Sequence, residues 1–136
     1  MVNAATLGKE LAVTVINKIG VLAEVSRILA DHGLNIDGIS GYSKEDNTAV
    51  LLLVVDDILR AGEALSKAGY KAIKENEVVL LDIDNKPGAL KNLTAKLAIH
   101  DIDIKYLYGT ACPSGCPARM VLCTSDNEKA LLLFKR

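Results

Sequence analysis

The sequence predicts an α+β fold made of one unit used twice. Three observations carry that expectation: the chain overlays itself at an offset of 68 residues, alternating apolar residues mark short strands, and apolar residues at helical spacing follow each first strand. In the overlay, Asn17-Lys18-Ile19-Gly20-Val21-Leu22 falls on Asn85-Lys86-Pro87-Gly88-Ala89-Leu90 without a gap. From 17–41 against 85–109, nine of 25 positions are identical, among them Leu29 with Leu97, His32 with His100, Ile36 with Ile104 and Gly41 with Gly109.

Leu11, Val13 and Val15, like Val79, Leu81 and Ile83, alternate as strands do. Leu22, Val25, Ile28 and Leu29, then Leu90, Leu93 and Leu97, form the apolar faces of two helices expected to lie against their sheets. Gly33 suits the left-handed residue that ends the first helix, and His32 and His100 sit at equivalent helix ends, where they read as caps. Two strands follow, 34–42 and 48–55, across the turn-prone Ser43-Lys44-Glu45-Asp46-Asn47, with counterparts at 102–110 and 118–124. The continuous apolar run Ala49 to Val55 has no face for water and reads as a central strand. Asp56-Asp57 opens a helix over 58–68, Gly69 closes it, and Tyr70 to Lys74 supplies a fourth strand. The order β-α-β-β-α-β is the split βαβ or ferredoxin-like arrangement, an antiparallel four-stranded sheet with both helices on one face.

The second copy is shorter: after a helix over 125–134 the chain stops without a clear last strand. Two ferredoxin-like sandwiches in tandem are therefore expected, at 9–75 and 77–136. A unit of this size is marginal alone, so the halves should pack on each other or on another chain. The missing strand would leave the Val79 to Ile83 strand with an open edge. The N-terminal segment, a strand of the first copy, or the same strand of a second molecule could fill it, and the last, a homodimer, is the favoured expectation.

Composition narrows the function. Sixteen Lys and Arg against 17 Asp and Glu give a net charge of −1, so no basic field exists to recruit nucleic acid or an anionic membrane. Four Tyr, one Phe and no Trp leave no aromatic platform for stacking bases. The longest apolar run falls far short of the roughly 20 residues a membrane helix needs, and no secretory signal is visible, so the expected location is the cytoplasm. Three cysteines without an export signal read as reduced thiols. No nucleophile elbow, zinc-protease pattern or phosphate loop occurs, and the expectation is a protein that is not an enzyme and has no metal or cofactor.

The repeated Asn-Lys-x-Gly turn is the most informative feature. Gly20 and Gly88 let the backbone approach a guest closely, and the free N–H groups at the following helix start favour an anion such as a carboxylate. Asn17 and Asn85 add an amide suited to either end of a zwitterion. A small amino acid fits that chemistry, and so does the plainer reading that Asn and Gly only turn the chain and cap a helix.

With its strand, its Asn-Lys-Pro-Gly-Ala-Leu turn, a helix ending in His-Asp-Ile-Asp-Ile and the β-α-β-β-α-β order, the chain resembles a tandem pair of ACT domains, the amino-acid-binding regulatory modules. Ile19 stands where the family motif has Pro. The resemblance implies an effector amino acid held at an interface between two such domains, by the first turn and the start of the second strand. Carried over by position, the implied site is Asn17, Gly20, Val21 and Leu22 with Asn35, Ile36 and Asp37, and in the second copy Asn85, Gly88, Ala89 and Leu90 with Asp103, Ile104 and Lys105. The leading expectation is an amino-acid-binding regulatory protein. The alternative is a small regulatory subunit that docks on a metabolic enzyme.

Cys112-Pro113-Ser114-Gly115-Cys116-Pro117 fills the second hairpin turn. It reads as an ordinary turn, with a soft-metal site, a small disulfide or an oxidant sensor as alternatives; zinc would want a second Cys pair. Cys123, on an apolar strand, reads as core, and Asp82 and Asp84, on one sheet face, read as solvated carboxylates.

Overall fold

The computed structural model describes residues 2–135. Its elements run β1 (Val2–Ile16), α1 (Val21–Asp31), β2 (Ile36–Ser43), β3 (Thr48–Val55), α2 (Ile58–Lys67), β4 (Ile73–Ile83), α3 (Ala89–Ile99), β5 (Ile104–Thr110), β6 (Ala118–Thr124) and α4 (Asn127–Phe134). The fold is α+β, with antiparallel strand pairs and, among the described residues, four helices. The chain divides into two compact units: Lys9–Asn76, called here the first, and 2–8 with the described residues from Glu77 onward, called the second.

In the first unit the strand order is β2-β3-β1-β4. Alternation on β1 turns Leu11, Val13 and Val15 to one face, where they meet Leu51 and Leu53 of β3, Val21, Val25, Ile28 and Leu29 of α1, and Ala61, Ala64 and Leu65 of α2. β3 lies between β2 and β1, and Ala49 to Val55 are all buried, as the unbroken apolar run requires. In the second unit the order is β1-β4-β6-β5. Its core joins Val79, Leu81 and Ile83 to Ala89, Leu93 and Leu97 of α3 and to Ala130 and Phe134 of α4.

The structure corrects several expectations. The N-terminal segment, which carries no strand signal of its own, is part of a 15-residue β1. Its residues 2–8 cover the edge of β4 in the second unit: Val2 and Ala5 pack on the second core, and the Asn3 amide donates to Asp84 at 3.2 Å. That edge is therefore not free to join two molecules. Of the strand expected at 70–74 only the last two residues are strand, and they run without a break into the strand expected at 79–83, as one strand Ile73–Ile83. Leu22 and Leu90 do not face their sheets but are 44% and 47% exposed. The inward stripe of α1 runs through Val21, Val25 and Ile28, which puts the next residue, Leu22, at the rim. Asp82 and Asp84 are not merely solvated. Asp82 accepts two hydrogen bonds from Arg119, at 2.8 and 3.1 Å. The Asn3 amide holds the Asp84 carboxyl below the usual carboxylate range. Finally, Cys112 and Cys116 form a disulfide, their Cα atoms 5.7 Å apart, within the range such a bridge spans. Cys123 is free and only half-buried.

Candidate functional site

α1 and α3 begin in the same unusual way. Their N-caps, Gly20 (φ 89°) and Gly88 (φ 90°), are left-handed, and no side chain caps either helix. A Cβ at either glycine would meet nothing within 4 Å, so glycine is required here by backbone conformation and not by crowding. The Val21 N–H turns back to the Lys18 carbonyl at 3.3 Å, and the Glu24 N–H makes the first full helical bond, to the Gly20 carbonyl at 3.0 Å. Between them the first-turn amides of Leu22 and Ala23 have no side-chain cap; in α3 the same places are Leu90 and Lys91. The other two helices differ: Asp57 caps α2 by accepting from the Arg60 N–H, and Asp126 caps α4 by accepting from the Lys129 N–H. His32 and His100 end α1 and α3 with Nδ1 on the Ile28 and Lys96 carbonyls, at 2.8 and 2.9 Å.

The two asparagines are held differently. The Asn17 backbone N–H donates to the Asn47 carbonyl at 2.9 Å, whereas the Asn85 side-chain amide donates to the Cys112 carbonyl at 3.4 Å.

The second group of implied residues lies where β2 and β5 begin. The pairing with β3 shifts between Ile36 and Gly38, so Asp37 is the extra residue of a bulge; Lys105 occupies the same place between Ile104 and Tyr106. Asn35 donates from its amide to Asp37 at 2.6 Å and from its backbone to Asp56 at 3.0 Å. The Asp103 backbone N–H donates to the Ser125 hydroxyl at 2.9 Å.

Within a unit these two groups are not brought together. Ile16, just before the first turn, pairs with Thr48 at one end of β3, and Ile36 pairs with Val55 at the other. Seven residues of strand span roughly 23 Å, far longer than a small amino acid. In the second unit Ile83 pairs with Ala118 and Ile104 with Thr124, again at opposite ends.

Each unit also has a cleft beside its first helix. In the first, about 370 Å³ is bounded by the end of β1, by Lys18, Val21 and Glu24, and by Ala68 to Ala72. Tyr70 in its wall donates to the Glu24 carboxylate, and burial, reinforced by that carboxylate, raises its pKa above the usual phenol value. In the second, about 340 Å³ is bounded by Val2, by Ala89, Asn92, Leu93 and Lys96, and by the end of α4. Lys18, inside the repeated turn, and Glu24, one helical turn beyond Gly20, line the first cleft without being singled out by the Asn-Lys-x-Gly pattern. Among the described residues no group of three or more His, Cys, Asp or Glu side chains could hold a metal ion, and no helix is long and apolar enough to cross a membrane.

Comparison with known proteins adds a fold and a domain model that matches part of the chain. The crystal structure of a protein from Bacteroides thetaiotaomicron is similar over 95% of this chain and 87% of its own, at 26% identity and a TM-score of 0.86. The regulatory subunit of aspartate kinase from Thermus thermophilus is similar in fold over 96% of this chain and 94% of its own, at 16% identity and a TM-score of 0.70. A structure of aspartokinase alpha and beta subunits is similar over 100% of this chain and 95% of that one, at 19% identity and a TM-score of 0.70. No curated protein matches the chain in sequence. Residues 9–69, the stretch that holds the first Asn-Lys-x-Gly turn and its bulged second strand, match the model of the ACT domain.

Proposed function

We propose that the chain is a tandem pair of ACT-like domains, 9–75 and 77–136, that binds a small amino acid and regulates a metabolic process through that binding instead of catalysing a reaction. The observation that carries this reading is the contrast among helix starts. α2 and α4 are capped by aspartates, while α1 and α3 open behind a left-handed glycine without a side-chain cap. Uncapped amides at the positive end of a helix suit the ligand carboxylate; Asn17 and Asn85 would take its ammonium or share its carboxylate. The separation of the turn from Asn35, Ile36 and Asp37 within a unit supports a ligand shared between two domains, since one domain cannot offer both groups to a small molecule. The same reading takes the protein as a homodimer, in which the exposed apolar side chains beside the first turn, Ile16, Ile19 and Leu22, would be covered.

The likeness in fold to a regulatory subunit of aspartate kinase supports a second reading, a small regulatory subunit docked on a metabolic enzyme. Thermal unfolding in the presence of each proteinogenic amino acid separates the two, because a ligand that binds only the folded state raises its melting temperature. The expected result is a rise with one amino acid or a few of related side chain, reduced by Asn17→Ala or Asn85→Ala without a change in unliganded melting. No rise with any amino acid would overturn binding and leave the docking role, which co-purification of an enzyme tests.

A further inference from the structure

The loop between β5 and β6 is where the two copies differ most in chemistry, since Ser43-Lys44-Glu45-Asp46-Asn47 in the first has no cysteine and the second carries Cys112-Pro113-Ser114-Gly115-Cys116. We propose that Cys112 and Cys116 are a reversible thiol–disulfide site that sets the position of Asn85 in the second Asn-Lys-x-Gly turn. Four features carry this. First, the two cysteines are joined across four positions of sequence, with Cα atoms 5.7 Å apart. A ring this small restricts the unfolded chain less than a long one, so stabilisation is a weak reason for the bridge. Second, the loop is exposed, with Cys116 the more open and Cys112 half-buried, so a small thiol can reach the bridge from the Cys116 side. Third, the Cys116 N–H donates to Cys112 Sγ at 3.2 Å, and the Gly115 N–H to the Cys112 carbonyl at 3.4 Å. The first of these donors would stabilise a thiolate on Cys112 and so make it the better leaving group and raise the share of it present as the attacking thiolate. Fourth, the same Cys112 carbonyl accepts from the Asn85 side chain at 3.4 Å, so closing or opening the ring acts on a carbonyl that Asn85 touches.

The chemistry balances with a low-molecular-weight disulfide as oxidant. The exposed Cys116 thiolate attacks one of its sulfurs, forming a mixed disulfide and releasing one thiolate. The Cys112 thiolate then attacks Cys116 Sγ and releases the second. Two cysteine thiols are oxidised, one external disulfide is reduced to two thiols, and the two protons leave with them. Reduction is the reverse: an external thiolate attacks Cys116 Sγ and Cys112 departs as thiolate, then a second external thiolate attacks the outer sulfur of the mixed disulfide, releasing Cys116 and an external disulfide. This exchange stands without the ligand reading; only its regulatory consequence rests on the amino-acid site proposed above.

The test equilibrates the Cys123→Ser protein with mixtures of reduced and oxidised glutathione, traps free thiols by alkylation and reads the 112–116 peptide by mass spectrometry. The expected result is conversion from a doubly alkylated to an unalkylated, bridged peptide as the oxidised fraction rises, reversed by excess thiol. The second readout is the Asn85 side-chain amide signal in heteronuclear NMR, expected to shift between the two states and to stay in one position in Cys112→Ser. Thiols that remain free in excess oxidised glutathione, or a bridge that resists excess thiol, would overturn the exchange. An Asn85 signal indifferent to the bridge would overturn the coupling. Both readouts are made without amino acid present, so a chain that binds no amino acid can still pass or fail them.

Discussion

Gly109 of β5 stands opposite Met120 of β6, and a Cβ built on it would lie 2.6 Å from the Arg119 carbonyl oxygen and collide with the Met120 sulfur. A backbone oxygen cannot move aside as a side-chain end can. Gly41, its counterpart in the repeat, would bring a Cβ to 3.2 Å from a Leu51 methyl, which can turn away. Gly109→Ala is therefore expected to destabilise the protein by about 1–3 kcal/mol, the usual range for overpacking, and Gly41→Ala by clearly less. Urea unfolding of the two variants measures the difference, and equal losses would contradict the argument. Gly20 and Gly88 are glycines for another reason, their positive φ, which sequence alone already suggested from their place before a helix. Nothing in the pattern of types marks Gly109 as the crowded one, because the contact depends on which side chain the neighbouring strand sets opposite it.

At the scale of elements, the four helices among the described residues fall into two kinds. α2 and α4 have side-chain caps and α1 and α3 do not. Asp57 accepts from the Arg60 N–H at the start of α2, so Asp57→Ala should cost about 1 kcal/mol, as loss of an N-cap commonly does. Asn127, the first residue of α4, does more than begin a helix. Its Oδ1 accepts from the Thr124 N–H at 2.9 Å and the Thr124 hydroxyl at 2.8 Å, and its amide donates to the Glu77 carbonyl at 2.9 Å. Thr124 is buried. Asn127→Ala leaves its polar groups without those bonds and is expected to cost more than Asp57→Ala, of the order of 2–3 kcal/mol. Guanidinium melts of both variants check the order. An Asn127→Ala protein as stable as the parent would mean that water or another side chain satisfies Thr124.

For the whole molecule, the segment 2–8 is the decisive addition. Removing it takes Val2 and Ala5 from the second core and Asn3 from Asp84, and it uncovers the edge of β4 in that unit. A bare strand edge is a template for pairing with another chain. The truncated protein is expected to melt at lower temperature and to self-associate, seen as a rise in scattered light with concentration; unchanged melting and scattering would show that these residues do not hold the edge. The sequence by itself determined most of the strands and helices between Leu11 and Phe134 and the glycine turns that carry the candidate site, because period, apolar face and glycine position are local properties of the chain. Only the tertiary structure decided that the N-terminal residues complete the second unit. They contain few alternating apolar residues, and Gly8 weakens the strand signal, yet an added Cβ there would come 2.8 Å from Leu80. It also decided that Leu22 and Leu90 face outward, that Cys112 and Cys116 meet, and that the first turn and the second-strand residues lie at opposite ends of each unit's sheet. Each of these depends on what stands beside a residue in space, which the order of residues along the chain does not state.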